Sequence, residues 1–209
     1  MKTLILVDLQ NDFCANGALE VPEGNLVVPI ANQLMPHFDL VIATQDWHPA
    51  NHKSFAANHL FRKPGMVIEL NGLEQILWPI HCVQDSYGAQ FVKELNMEGV
   101  DKIFQKGTDP EVDSYSGFFD NGKRKSTGLG KYLQEIGVTE VYILGLATDY
   151  CIKFTTLDAL DLGFKTYLIE DACRGVNLQP GDCDLAIEEM REAGAAIINS
   201  TSLLDSILR

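Results

Sequence analysis

Three residues of this sequence carry the chemistry of nucleophilic catalysis, and each stands where an apolar run gives way to a turn. Cys151 closes the segment Gly145-Leu146-Ala147-Thr148-Asp149-Tyr150-Cys151. Thr148 or Asp149 can cap a helix at this point, which leaves backbone N–H groups free around the thiol. The positive field of the helix start is expected to lower the Cys151 pKa and favour the thiolate, and neighbouring N–H groups could hold the oxyanion formed when sulfur attacks a carbonyl. Asp8 ends an apolar run and opens Leu9-Gln10-Asn11-Asp12-Phe13. A carboxylate in such a partly buried place titrates above its solution value unless a cation pairs with it, and Lys106 can supply that cation. Asp8 could then take the thiol proton as general base and return it to a leaving amine, with Lys106 balancing the charge.

A second group has the character of metal ligands. Asp46-Trp47-His48-Pro49-Ala50-Asn51-His52 is followed by Trp78-Pro79-Ile80-His81-Cys82. Carboxylate and imidazole together suit zinc, iron or manganese, and an incomplete set leaves positions for water or substrate. Asp46 and His48 are two residues apart, so in extended chain both point the same way and can share one ion. His81 is the third candidate; His52, His37 and His59 can each be an ordinary exposed loop or helix histidine, and His37 and His59 read so. Phe13, Trp78 and Tyr115 are the nearest aromatics and could wall a pocket for a small planar ligand.

Six short apolar runs can position these groups, at 3–7, 40–43, 102–104, 140–144, 166–169 and 195–198. Their near-continuous apolar character suits strands covered on both faces, as in a parallel sheet between helices. Helical patterns occupy 25–37, 88–95, 127–136, 149–162, 182–193 and 202–208, several of them closed by glycine. The fold class is α/β. A six-stranded sheet wound in two directions from its first strand would place strands one and four side by side, and ligands bind such sheets at the carboxyl ends of the strands. Asp8, Asp46, Lys106 and Cys151 all follow strands, so they converge on that edge. Residues 45–86, rich in His, Pro and aromatics and poor in helical periodicity, read as a loop excursion, the kind of long irregular segment that carries function. No repeat, low-complexity tract or linker marks a second domain, so 1–209 reads as one domain with a metal-bearing insertion.

Composition narrows the possibilities. The 209 residues are 46% hydrophobic and 22% charged, a folded globular profile. Lys and Arg number 16 against 29 Asp and Glu, a net charge of −13, which disfavours nucleic acid as a partner. No stretch approaches the roughly 20 apolar residues of a membrane span. The first residues lack the core and cleavage site of a signal peptide, so the expected location is cytoplasmic. Five cysteines without a CxxC pair suggest neither a disulfide framework nor a thiolate zinc cage.

Six ordered motifs across nearly the whole chain resemble the nicotinamidase family within the isochorismatase-like cysteine hydrolases: Val7-Asp8-Leu9-Gln10-Asn11-Asp12-Phe13, Gln45 to His52, Trp78-Pro79-Ile80-His81-Cys82-Val83, Lys106-Gly107, Val112-Asp113-Ser114-Tyr115-Ser116 and Gly145 to Cys151. The resemblance implies a three-layer α/β/α fold with a six-stranded parallel sheet and Rossmann-like winding. It implies hydrolysis of nicotinamide, and of pyrazinamide, to the acid and ammonia in NAD salvage, by a monomer or a homo-oligomer. It makes Asp8, Lys106 and Cys151 the catalytic triad. Asp46, His48 and His81 become ligands of one divalent zinc, iron or manganese ion that docks the pyridine nitrogen, and His52 matches a histidine that only some relatives use. It also implies a cis Leu146–Ala147 peptide, an oxyanion hole of the Ala147 and Cys151 N–H groups, and Phe13, Trp78 and Tyr115 around the ring. The competing readings are a related amidase acting on carbamoyl or ureido substrates, a dinucleotide-binding oxidoreductase, and a noncatalytic metal or small-molecule binding module. The oxidoreductase lacks its GxGxxG after any strand.

Overall fold

A computed structural model describes residues 1–207 of the chain. Its centre is a six-stranded sheet of β1 (Lys2–Val7), β2 (Leu40–Asp46), β5 (Lys102–Lys106), β6 (Glu140–Leu146), β7 (Lys165–Arg174) and β8 (Ala196–Ile198). The strands run in the order β5-β2-β1-β6-β7-β8 and every pairing is parallel. β1 and β6 are neighbours, with Thr3 beside Val141 and Val7 beside Gly145, so the winding reverses where the sequence pattern places it. Leu4, Ile5, Leu6, Ile42, Ile143 and Leu144 are fully buried, as central strands covered on both faces must be.

Helices α1 (Val27–Leu34), α2 (Leu129–Glu135), α3 (Lys153–Asp161), α4 (Asp182–Glu192) and α5 (Ser200–Ile207) cover the sheet. α1 packs on β6, β7 and α5, and α3 packs on β7 and α4, giving the three-layer arrangement. The helix expected at 202–208 begins at Ser200, and Leu208 lies outside the described residues.

Two expectations need correction. Residues 88–95 do not form a helix. The Gly88 and Gln90 carbonyls, which an α-helix would use internally, instead accept the N–H groups of Asp12 and Asn11, so this segment is spent tying down the loop after β1. The insertion at 45–86 is also not loop throughout, because β3 (Val67–Leu70) and β4 (Leu73–Ile76) form an antiparallel hairpin. Its turn is Asn71-Gly72, both at positive φ (52° and 81°), the conformation a tight two-residue hairpin turn requires.

Candidate active site

The parallel sheet delivers the ends of its middle strands to one place. Asp8 directly follows β1, Asp46 ends β2, Lys106 ends β5, and Cys151 sits in a π-helical turn (Thr148–Ile152) between β6 and α3. All four are buried. Gly145 makes the close approach of β1 and β6 possible: its φ is 131°, and a Cβ there would run into the Val7 carbonyl oxygen. The Leu146–Ala147 peptide that follows is cis.

Lys106 is the hub. Its Nζ lies 2.9 Å from Asp8 Oδ2, 2.5 Å from Asp46 Oδ1, 2.9 Å from the Ser114 carbonyl and 3.5 Å from Cys151 Sγ. Burial works against its charge, but Asp46, Asp8 and Cys151 outweigh that and hold the ammonium well above its usual range. Burial pulls the Asp46 carboxyl up, and Lys106 and His48 reverse this to leave it well below the carboxylate range. Asp8 goes the other way: burial raises it, Lys106 only partly compensates, and Asp46 adds repulsion. Thr44 Oγ1 donates to Asp8 Oδ1 at 2.6 Å, while Oδ2, close to Lys106 but poorly aligned with it, has no hydrogen-bond donor among the described residues. That oxygen is open to a proton.

Cys151 departs from expectation. Its thiol is raised well above the ordinary value, first by burial and then by Asp8 and Asp46, although Lys106 pulls it down. The field of the helix start does not produce a resting thiolate here, because the thiol is fully desolvated beside two carboxylates. The resting pair is therefore a thiol beside a carboxylate of raised basicity, the arrangement that suits a nucleophile and its general base.

Beside this group stand the candidate ligands. His48 Nε2 is 3.2 Å and His81 Nε2 3.6 Å from Asp46 Oδ2, and the three residues offer ligand atoms that all lie within 4.8 Å of one another. The other ring nitrogens are committed to carbonyls, His48 Nδ1 to Gly107 and His81 Nδ1 to Pro79, each at 2.8 Å. A carbonyl only accepts, so both histidines carry hydrogen on Nδ1 and turn Nε2 towards Asp46; burial opposes charge on the His48 ring, but the Asp46 carboxylate outweighs it and raises the pKa, so His48 Nε2 also donates to Asp46 while no cation is bound. That is the donor set a divalent cation requires, with Nδ1 anchored and Nε2 free to coordinate once the cation displaces the proton shared with Asp46. His52 is less directly placed: its Nδ1 engages Ser54 Oγ at 2.7 Å, and its ligand atoms group with those of His48 and Asp113. His59 instead bonds the Lys53 carbonyl.

A small pocket opens onto Cys151 and Ala147, lined by Phe13, Trp78 and Tyr115 together with Asp46 and His81, so every candidate aromatic reaches it. Sequence reasoning missed Tyr150 and Asp113, which also line it, and Gln10 behind it. The Gln10 side chain donates to the Asp46 and Ala89 carbonyls and accepts the Asp46 N–H, clamping the end of β2. Gln10 lies two residues past Asp8, and nothing local in the sequence marks it, because its partners are Asp46 and Ala89.

This geometry agrees with the sequence relationships. The pattern of the isochorismatase domain matches residues 2–202. The chain belongs to the isochorismatase family. Within that family it is 52% identical to the nicotinamidase of Escherichia coli strain K12, over 94% of this chain and 93% of the other. The nicotinamidase/pyrazinamidase structure of Acinetobacter baumanii superposes with a TM-score of 0.94 at 44% identity, covering 97% of both chains. A Pyrococcus horikoshii pyrazinamidase solved in complex with zinc superposes with a TM-score of 0.76 at 40% identity, covering 95% of this chain and 98% of the other.

Proposed function

We propose that this isochorismatase-family chain is a nicotinamidase that hydrolyses nicotinamide to nicotinate and ammonia, and cleaves pyrazinamide in the same pocket. The observation that carries the reading is the convergence of Asp8, Lys106 and Cys151 on one buried cluster, Lys106 Nζ touching both partners, beside an Asp46-His48-His81 ligand set. The nicotinamidase relatives support the substrate class.

In this reading Asp8 accepts the Cys151 proton as sulfur adds to the amide carbon. Lys106 stays charged and keeps Asp8 and Asp46 from repelling each other. The Ala147 and Cys151 N–H groups receive the developing oxyanion. Asp8 then returns the proton to the departing nitrogen, ammonia leaves, and a thioester remains on Cys151. A water attacks that thioester with Asp8 again taking its proton, which releases the acid and restores the thiol. Phe13, Trp78 and Tyr115 sandwich the ring. Asp46, His48 and His81 fit a divalent cation such as zinc, iron or manganese, which when bound would supply Lewis acidity and an anchor for the ring nitrogen. The 209 residues act as one hydrolase domain, with 45–86 as its ligand-bearing insertion. Five unpaired thiols suit a reducing, cytoplasmic setting.

The test is ammonia release from nicotinamide by purified, metal-quantified protein beside its Cys151→Ala variant. Release by the wild type alone is expected. Absence of release from reduced, metal-loaded protein would overturn the substrate assignment and point to carbamoyl or ureido amides.

A further inference from the structure

The β3–β4 hairpin sends one polar side chain inward. Gln75, on β4, is 3% exposed, and its Nε2 lies 2.7 Å from the Ile76 carbonyl, 3.0 Å from Asp113 Oδ2 and 3.2 Å from Tyr115 Oη, so its two hydrogens are shared among these three acceptors. Trp78 Nε1 donates to the same Tyr115 oxygen at 3.1 Å. The Tyr115 hydroxyl is thus gripped from two sides, and Trp78, Tyr115 and Asp113 all line the pocket that opens onto Cys151. Gln75 itself does not line it. We infer that Gln75 is a positioning residue for the substrate ring: it anchors Tyr115, and through Tyr115 the indole of Trp78, in the orientation that walls the pocket.

The residue type fits this task. A glutamate would set a second carboxylate against Asp113, and an aliphatic side chain would leave Asp113 with only the Ser114 N–H on its other oxygen and Tyr115 with only the Trp78 donor. Without the amide, the Tyr115 side chain keeps the Trp78 bond and its ring contacts with Trp78, Tyr150 and Phe154 but loses its tie to the hairpin, so its wall can swing. Gln75 makes no hydrogen bond to Asp8, Lys106 or Cys151 among the described residues. Its loss is therefore expected in substrate binding rather than in the chemical step.

The inference rests on the nicotinamidase reading, and the experiment separates the two. Steady-state kinetics of Gln75→Leu on nicotinamide should show KM raised roughly five- to tenfold with kcat within about twofold. In a Tyr115→Phe background the same change should add less than about twofold, because both act through one contact. An unchanged KM, an equal loss in kcat, or full additivity would overturn the inference. Gln75→Met, similar in shape and also without a donor, replaces the leucine variant if that one does not fold. If the wild type releases no ammonia from nicotinamide, the functional reading fails, and the inference is decided by the Trp78 indole N–H resonance. A shifted, faster-exchanging signal in Gln75→Leu supports it, and an unchanged signal overturns it.

Discussion

Cys151 and Asp8 are both buried, and their raised affinities for a proton set what single substitutions do. Cys151→Ala removes the nucleophile but only a small volume, so ammonia release should vanish while calorimetry still detects nicotinamide binding. Asp8→Asn removes the proton acceptor and should lower kcat by about 10²–10⁴. Lys106→Met leaves Asp8 and Asp46 facing each other without a cation. Removing one partner from a buried ionic group costs roughly 3–5 kcal/mol, so this variant should lose stability in chemical denaturation as well as activity. The pairing of Lys106 with Asp8 was legible in the sequence because both residues end apolar runs. The protonation state of Cys151 was not, since it depends on how completely the thiol is desolvated and on Asp46, which lies 105 residues away in the chain.

Strand ends and glycines do the placing. Gly107 follows Lys106 at φ 65°, and a Cβ there would enter the His48 ring at Cε1 and Nδ1. Gly107→Ala should therefore push His48 off the Gly107 carbonyl and lower the bound divalent metal measured by elemental analysis, with Lys106 left in place. All six strands followed from apolar runs, and the neighbouring of the first and fourth from winding in two directions about a switch point. The hairpin was legible too, because Asn71-Gly72 between two short runs is its ordinary signal, but the surrounding His, Pro and aromatic residues drew the reading towards loop. The absent helix at 88–95 could not have been read locally. Its carbonyls are claimed by the segment after β1, and nothing within those eight residues records that. Gln10, Thr44 and Gln75 were missed for the same reason: a buried amide or hydroxyl gains its meaning from a partner far along the chain.

The molecule as a whole answers to pH and to metal. Burial pushes the Cys14 thiol up to about 11 and that of Cys173 to about 12, from an ordinary 9.0. Above pH 9 the unfolded chain loses these protons before the folded one does, so the native state binds more protons and stability falls as pH rises. Thermal unfolding midpoints should decline from pH 9 to 11, and less steeply in a Cys14→Ala, Cys173→Ala double variant. A cation held by Asp46, His48 and His81 binds only the folded chain. Free metal at 100 times its dissociation constant should then add about 2.7 kcal/mol to stability, read as a raised midpoint that a chelator reverses. Chelation should also raise KM for nicotinamide or abolish turnover. The Lys106 ammonium carries one further consequence. It joins the ends of β1, β2 and β5, the Ser114 carbonyl and the turn after β6, segments far apart in the chain that meet only when the β5-β2-β1-β6 part of the sheet has assembled. Regain of activity on refolding should therefore track the slowest pairing among these four strands, which makes turnover a clock for their assembly.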